Sequence, residues 1–206
     1  MPKKNKNRRW MNEHLSDEYV KKARQLGYRS RATFKLLEIN QKDKLLKPGA
    51  VVVDLGAAPG GWSQVAIKHV GNQGKVIAID LLPMAPLTGV TFIQSDFCEQ
   101  NALDQLFDCL NNKQVDLVIS DMAPNISGSK AVDQPKSIYL AELALDFAGQ
   151  ALRPGGQLLV KVFQGEGIDS FRRNMQHVFS HVLTRKPKAS RPASREVYLL
   201  GKNRIV

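Results

Sequence analysis

From Ala50 onward the chain alternates short apolar runs with longer amphipathic stretches, and no other feature narrows its fold as much. "AVVVDL", "KVIAID", "VTFIQSD" and "VDLVIS" read as strands, with "LLVKVF" at residues 158–163 as a fifth. "GWSQVAIKHV", "EQNALDQLFDCL" and "QPKSIYLAELALDFAGQAL" carry helical spacing, and the last stops at "RPGG". Strands alternating with helices imply a parallel sheet covered by helices on both faces. Two later runs, "HVLTRKPKA" and "REVYLLGK", are separated only by "SRPAS" and are expected to pair antiparallel at one edge. The expected architecture is therefore α/β and Rossmann-like, a mostly parallel seven-stranded sheet with an antiparallel edge strand. Ahead of it, "SDEYVKKARQLG" reads as a helix capped by Ser16, and "RATFKLLEINQKDKL" as a second.

The fifth strand contains Lys161. An ammonium withdrawn from water without partners costs several kcal/mol, so this lysine either snorkels out of the strand end or meets carboxylates. Glu196 interrupts the apolar run "REVYLLG" in the same way, and the two are expected to be partners across adjacent strands. Lys35, by periodicity alone, reads as a surface residue of its helix.

With 206 residues and 43% apolar side chains, the chain suits a single domain over residues 1–206, carrying a basic N-terminal extension over residues 1–15. No apolar run is long enough to cross a bilayer, and "MPKKNKNRRW" is not followed by the greasy segment of a secretion signal, so the expected location is the cytoplasm. Cys98 and Cys109 have no paired spacing and are read as buried thiols. His177 and His181 stand four apart, as if on one helix face, but "HVFSH" lacks the glutamate of the zinc-protease motif, and no metal is expected.

The net charge of +11 is concentrated at the two ends: residues 1–35 hold eleven Lys/Arg against three Asp/Glu, and residues 185–204 hold seven against one. Cations confined to two segments are the footprint of a polyanion, since each phosphate neutralised releases condensed counterions. Arg29 and Arg31 are expected to grip phosphate. Trp10, Tyr28 and Phe34 are candidates for stacking on bases, although core packing is the commoner fate of such aromatics.

"VVVDLGAAPGGW" places Gly56, Gly60 and Gly61 directly after a strand and before a helix, where backbone amides come close to a ligand. A dinucleotide site needs its second glycine where this chain has Ala58, followed by Pro59, which has no amide hydrogen. Asp54 would also repel a pyrophosphate. It suits a cationic, phosphate-free nucleoside, and S-adenosylmethionine is one. Asp80 lies where an acid can hold ribose hydroxyls, and Asp96 where one can receive an adenine amino group. Together with Asp121 after the fourth strand, these form a rim of carboxylates at one edge of the sheet.

"DLGAAPGGWSQ", "SDMAPN", "LLVKVFQGEG" and "SRPASREVYLLG", with "YRSRATFKLLEI" ahead of them, resemble the FtsJ/RrmJ family of ribosomal RNA 2′-O-ribose methyltransferases essentially from end to end. The resemblance implies the S-adenosylmethionine-dependent methyltransferase variant of the Rossmann-like fold. It implies a catalytic tetrad of Lys35, Asp121, Lys161 and Glu196, and assigns Gly60, Trp62, Asp80 and Asp96 to the methyl donor. It also implies the target of the bacterial members, a uridine in the A loop of 23S rRNA within the large ribosomal subunit, and a monomer is expected.

Methyl transfer to a ribose hydroxyl requires alignment and a proton acceptor. Lys161 as base must be neutral, a form favoured by burial and by the neighbouring Lys35, whereas Asp121 and Glu196 favour its ammonium. These influences oppose one another, so the residues alone allow either a base or an ammonium that steadies an alkoxide; the resemblance implies the base. "DMAPN" lacks the second proline and the aromatic of enzymes that methylate planar nitrogens. A transfer RNA ribose methyltransferase, and an RNA-binding ribosome assembly factor with a vestigial site, are the alternatives.

Overall fold

The computed structural model describes residues 17–205. The extension over residues 1–15, Ser16 and Trp10 lie outside the described residues. The described cap of the first helix, α1 (Glu18–Gln25), is Asp17, whose carboxylate accepts from the Tyr19 amide at 3.0 Å. Helix α2 (Thr33–Asp43) follows and leads to strand β1 (Val51–Leu55). Then come α3 (Gly61–Val70), β2 (Lys75–Asp80), β3 (Val90–Gln94), α4 (Gln100–Leu110) and β4 (Val115–Ser120). The chain finishes with α5 (Lys130–Ala151), β5 (Leu152–Phe163), α6 (Ile168–Val178), β6 (Phe179–Arg185) and β7 (Glu196–Arg204).

The seven strands form one sheet in the order β3-β2-β1-β4-β5-β7-β6, parallel except where β7 runs against both β5 and β6. The expected antiparallel edge is thus a pair of strands, with the reversed one inserted inside β6. Side chains alternate between two apolar layers. Val52, Val76, Leu117 and Leu159 pack under α2 and α3 with Leu36, Trp62 and Val65. Val53, Ile77, Val118 and Leu158 face the opposite way, against Leu106, Phe147, Phe171 and Met175 of α4, α5 and α6.

Several expectations change. Helix α6 has no counterpart in the sequence reading, although Ile168, Phe171, Met175 and Val178 recur along it at helical spacing, the inner two fully buried and the outer two packed against the same core. His177 lies on α6 and His181 on β6, so they share no helix face. Helix α5 begins at Lys130 rather than Gln134 and carries Pro135 inside it. Its early start follows from Asp133, which accepts from the Ser127 amide and hydroxyl at 2.8 Å each and from the Gly128 amide at 3.1 Å, folding the preceding loop onto the first turn. Cys98 is exposed and Cys109 half-buried, so neither is the buried thiol expected.

Strand order reverses between β1 and β4, which places a crevice beyond the carboxyl ends of these strands. Helix α2 is held beside that edge by Asp43. Its carboxylate receives Arg185 Nε and Nη2 at 2.7 Å each and lies 3.1 Å from Lys202 Nζ. The Arg185 hydrogen bonds, against a smaller opposing effect of burial, hold the Asp43 carboxyl below its usual range. Asp43→Asn should cost about 2 kcal/mol in urea unfolding near neutral pH. Because the folded-state value is depressed, the contribution is complete above the unfolded value of 3.8 and fades as pH falls through the folded one. A variant as stable as the parent at neutral pH would show that the clasp contributes nothing.

Candidate active site

The crevice collects the carboxylates. Asp54 is the penultimate residue of β1, paired in register with Ala78 and Ile119, and is fully buried. Its Oδ2 accepts from Ser63 Oγ at 2.6 Å, whereas its Oδ1 is buried and has no hydrogen-bond partner among the described residues. Burial, with Asp121 and Asp80 adding repulsion and the Ser63 hydrogen bonds opposing, pushes the Asp54 carboxyl up to about 7. Asp80 ends β2 and accepts from the amides of Ala58 and Leu82 at 2.8 Å each. Asp96 lies two residues beyond β3 and accepts from the Cys98 amide at 2.9 Å. Asp121 follows β4 directly. All four stand at one edge of the sheet, as expected.

The glycines act differently from expectation. The amides of Gly56 and Ala57 donate to Ile79 O at 2.9 and 3.1 Å, and that of Gly60 to Ala57 O at 2.7 Å, so these are spent within the protein. What the glycines supply is room. Gly56, at φ +75°, has no space for a Cβ, which would stand 2.5 Å from Met122 Cγ of the loop after β4. At Gly61 a Cβ would stand 2.5 Å from Ser30 Oγ. Among the described residues the amides of Gly61 and Trp62, in the first turn of α3, have no protein acceptor, and a helix N-terminus of this kind favours an anionic group. The Trp62 ring is buried, donates Nε1–H to Ala32 O at 2.8 Å and packs 5.6 Å from the Tyr198 ring, which leaves the backbone amide as the part that a ligand can reach.

Lys161 is buried and lies opposite Tyr198 in the β5–β7 register. Its Nζ stands 3.1 Å from Asp121 Oδ1 and donates to the Asp121 carbonyl. The partner of Glu196 is Lys35, 2.6 Å away, and both are buried. This corrects two expectations: Lys161 and Glu196 are not paired, because Glu196 faces Phe163 and sits one diagonal step from Lys161, and Lys35 is not a surface residue. The four residues nevertheless converge.

Tyr198 joins the two ion pairs, and the sequence reading passed over it. It is fully buried, donates its hydroxyl to Asp121 Oδ1 at 2.7 Å, and carries Lys35 Nζ 5.9 Å from its ring centre. The signal was its position two residues after Glu196, on the same face of a strand. Burial, reinforced by the carboxylates of Asp121 and Glu196, raises the Tyr198 hydroxyl well above its ordinary range, so it remains a donor. For Asp121 burial acts upward, but the ammonium groups of Lys161 and Lys35 and the hydrogen bonds from Tyr198 and Lys161 outweigh it, so its carboxyl is lowered.

Arg29 and Arg31 do not present free guanidinium groups. Arg29 donates to the carbonyls of Pro59, Ala85 and Pro86, and Arg31 pairs with Asp17 at 3.0 Å and donates to Ala189 O at 2.7 Å. Phe34 is buried between Tyr19 and Tyr28, with ring centres 5.4 and 5.8 Å away. Among the described residues no cluster of His, Cys, Asp and Glu is arranged to hold a metal ion, and no helix is long and apolar enough to cross a membrane.

The buried Lys35–Glu196 pair makes its single variants costly. Lys35→Met should lose about 3 kcal/mol by stranding the Glu196 carboxylate, and the double variant Lys35→Met/Glu196→Leu should recover at least half of that in urea unfolding. Additive losses would show that the two side chains are not coupled.

The model of the FtsJ-like methyltransferase family matches residues 28–204. "Ribosomal RNA large subunit methyltransferase E" of Alkalilimnicola ehrlichii is 61% identical, covering 95% of this chain and 93% of that protein. The protein of the same name from Azoarcus sp. is 60% identical, covering 97% and 98%. A crystal structure from Plasmodium falciparum, described as that of a ribosomal RNA methyltransferase, superposes with a TM-score of 0.78 at 33% identity, covering 86% of this chain and 99% of that one. A Rossmann-like sheet with a carboxylate rim, a crowded glycine loop and a converging Lys–Asp–Lys–Glu set thus accompanies near full-length similarity, and the chain belongs to the FtsJ-like methyltransferase family.

Proposed function

We propose that the chain transfers the methyl group of S-adenosylmethionine to the ribose 2′-hydroxyl of a uridine in the A loop of 23S rRNA, within the large ribosomal subunit, and that it acts in the cytoplasm as a monomer. The names of its relatives support the substrate class, and the resemblance of its motifs supports the nucleotide. The observation that carries the reaction type is the converging set of two amines and two carboxylates, tied together by Tyr198 and adjacent to an Asp54 oxygen with no hydrogen-bond partner among the described residues.

The donor suits the residues present. Its ammonium would answer the Asp54 Oδ1 that no protein group satisfies, its carboxylate the Gly61 and Trp62 amides, and its ribose hydroxyls Asp80. When bound, it supplies an electrophilic methyl group on a sulfonium. The chain must then align the ribose hydroxyl and remove its proton. Two hydrogens of the Lys161 amine are directed to Asp121, one to the carboxylate and one to the carbonyl, and in the neutral amine the remaining position is a lone pair able to accept that proton. Asp121, which also has the Lys35 ammonium nearby and the hydrogen bond from Tyr198, steadies the Lys161 ammonium that results. Glu196 and Lys35 neutralise each other, so that this step adds no unbalanced charge to the region.

Incubation with methyl-labelled donor and free 23S rRNA, large subunits or transfer RNA tests the proposal directly. The expected product is one alkali-resistant linkage after a uridine of the A loop; label on a base, or on transfer RNA alone, would overturn it. Lys161→Ala should abolish transfer while leaving donor affinity within about twofold, whereas turnover near the normal rate would remove Lys161 as base.

Donor affinity should also depend on pH. The donor's ammonium meets a carboxylate at Asp54 only after the proton has left, so binding of S-adenosylhomocysteine, which keeps that ammonium, releases a proton below about 7. Affinity should rise about tenfold from pH ~6 to pH ~8 and level off above, with Asp54→Asn abolishing the slope. A flat wild-type profile in calorimetry would contradict this role for Asp54.

A further inference from the structure

Gly60 lies at φ +104° in the loop after β1 and has no room for a side chain: a Cβ would stand 2.8 Å from Arg29 Nη1 and 2.8 Å from Met84 Sδ. A glycine in such a loop ordinarily clears space for a ligand. Here the space holds a guanidinium from the N-terminal segment. Arg29 Nη1 donates to Pro59 O at 3.2 Å and to Ala85 O at 2.6 Å, and Nη2 donates to Pro86 O at 2.7 Å. One planar group therefore bridges the loop after β1 and the loop after β2. These are the loops that hold the Asp80 carboxylate from both sides, through the amides of Ala58 and Leu82. The arginine is fixed at its base as well, since its amide donates to Gln64 Oε1 of α3 at 2.8 Å and Gln64 Nε2 returns to Gly27 O at 3.1 Å.

We infer that Arg29 is a positioning residue for the methyl-donor pocket, holding the loops after β1 and β2 at the separation that the donor's nucleoside requires; the inference rests on the donor reading proposed above. A fork of fixed N–H directions reaches several carbonyls at once, which a single ammonium cannot do, so lysine is only a partial substitute. Arg31 supplies the contrast. It is two residues away and equally engaged, but with Asp17 and Ala189.

Calorimetric titration of S-adenosylhomocysteine into the full chain and its variants tests the inference. Arg29→Ala should weaken binding about tenfold, Arg29→Lys by less, and Arg31→Ala by under twofold. In turnover, Arg29→Lys should raise the donor KM with kcat little changed, the pattern of a group that shapes binding and stays clear of the reacting atoms. Wild-type affinity in the Arg29 variants would overturn it. So would an equal loss in Arg31→Ala, which would mean that both substitutions merely loosen the N-terminal segment. Should Arg29→Ala fail to fold, Arg29→Lys alone decides between these outcomes. No binding by the unaltered chain would instead remove the donor reading itself.

Discussion

The mutual neutralisation of two amines and two carboxylates in a region shielded from water is the constraint on which the rest of the site depends. Any one of Lys35, Asp121, Lys161 and Glu196 alone at its position would cost several kcal/mol. Their pairing requires contributions from distant parts of the chain: α2 brings Lys35, the end of β4 brings Asp121, β5 brings Lys161, and β7 brings Glu196 together with Tyr198. The insertion of β7 between β5 and β6 follows the same logic. Only a strand adjacent to β5 sets Tyr198 opposite Lys161 and within reach of Asp121, and a one-residue slip would turn Tyr198 and Glu196 to the other face.

Helix α3 joins this cluster to the donor side. Its first turn offers the unpaired amides of Gly61 and Trp62, Ser63 binds the Asp54 carboxylate, and the Trp62 ring lies against Tyr198. One element thus touches both the Lys–Asp–Lys–Glu set and the proposed donor pocket within three residues. The short reach suits a reaction in which the two reacting atoms must approach along a line, because misplacement of about 1 Å costs orders of magnitude in rate. The crowded glycines belong to the same arrangement. Gly56 admits Met122 and Gly60 admits Arg29 and Met84, so the loops of the proposed donor pocket are packed against their neighbours.

The strands and their order of appearance were legible because a parallel sheet covered on both faces writes each strand as an uninterrupted apolar run. The carboxylate rim was legible because an aspartate stands within two residues of the end of each of four such runs. Partnership was not. Hydrophobic pattern gives the face of Lys161 and of Glu196, but whether they oppose each other or stand one diagonal step apart is fixed by register, which the turn over "KPKASRPAS" sets through contacts invisible in the pattern: Lys186 Nζ donates to the carbonyls of Ser194 and Glu196 at 2.6 Å each. Lys35 was unreadable for a related reason. It belongs to a helix whose buried face includes Phe34, Leu36 and Ile39, so its position looks peripheral until Glu196 is folded against it. Helix α6 does leave a periodic trace, Ile168, Phe171, Met175 and Val178, which the sequence reading did not take up.

The charge of the chain shows what a count can and cannot mean. Within residues 185–204, Arg185 and Lys202 are held by Asp43, Lys186 by two carbonyls, and Arg204 by the carbonyls of Leu152 and Gly149. Arg29, Arg31 and Lys35 are likewise engaged near the other end. Among the described residues these seven cations therefore fasten terminal segments to the rest of the fold. Cations that keep their exposure, Lys21, Lys22 and Arg24 on α1 and Lys188 in the loop before β7, sit on elements packed together, since Ala23, Phe34 and Ala189 form one apolar cluster. Because Phe34 directly precedes Lys35, that cluster sets an exposed basic face beside the helix that carries Lys35 of the proposed catalytic set.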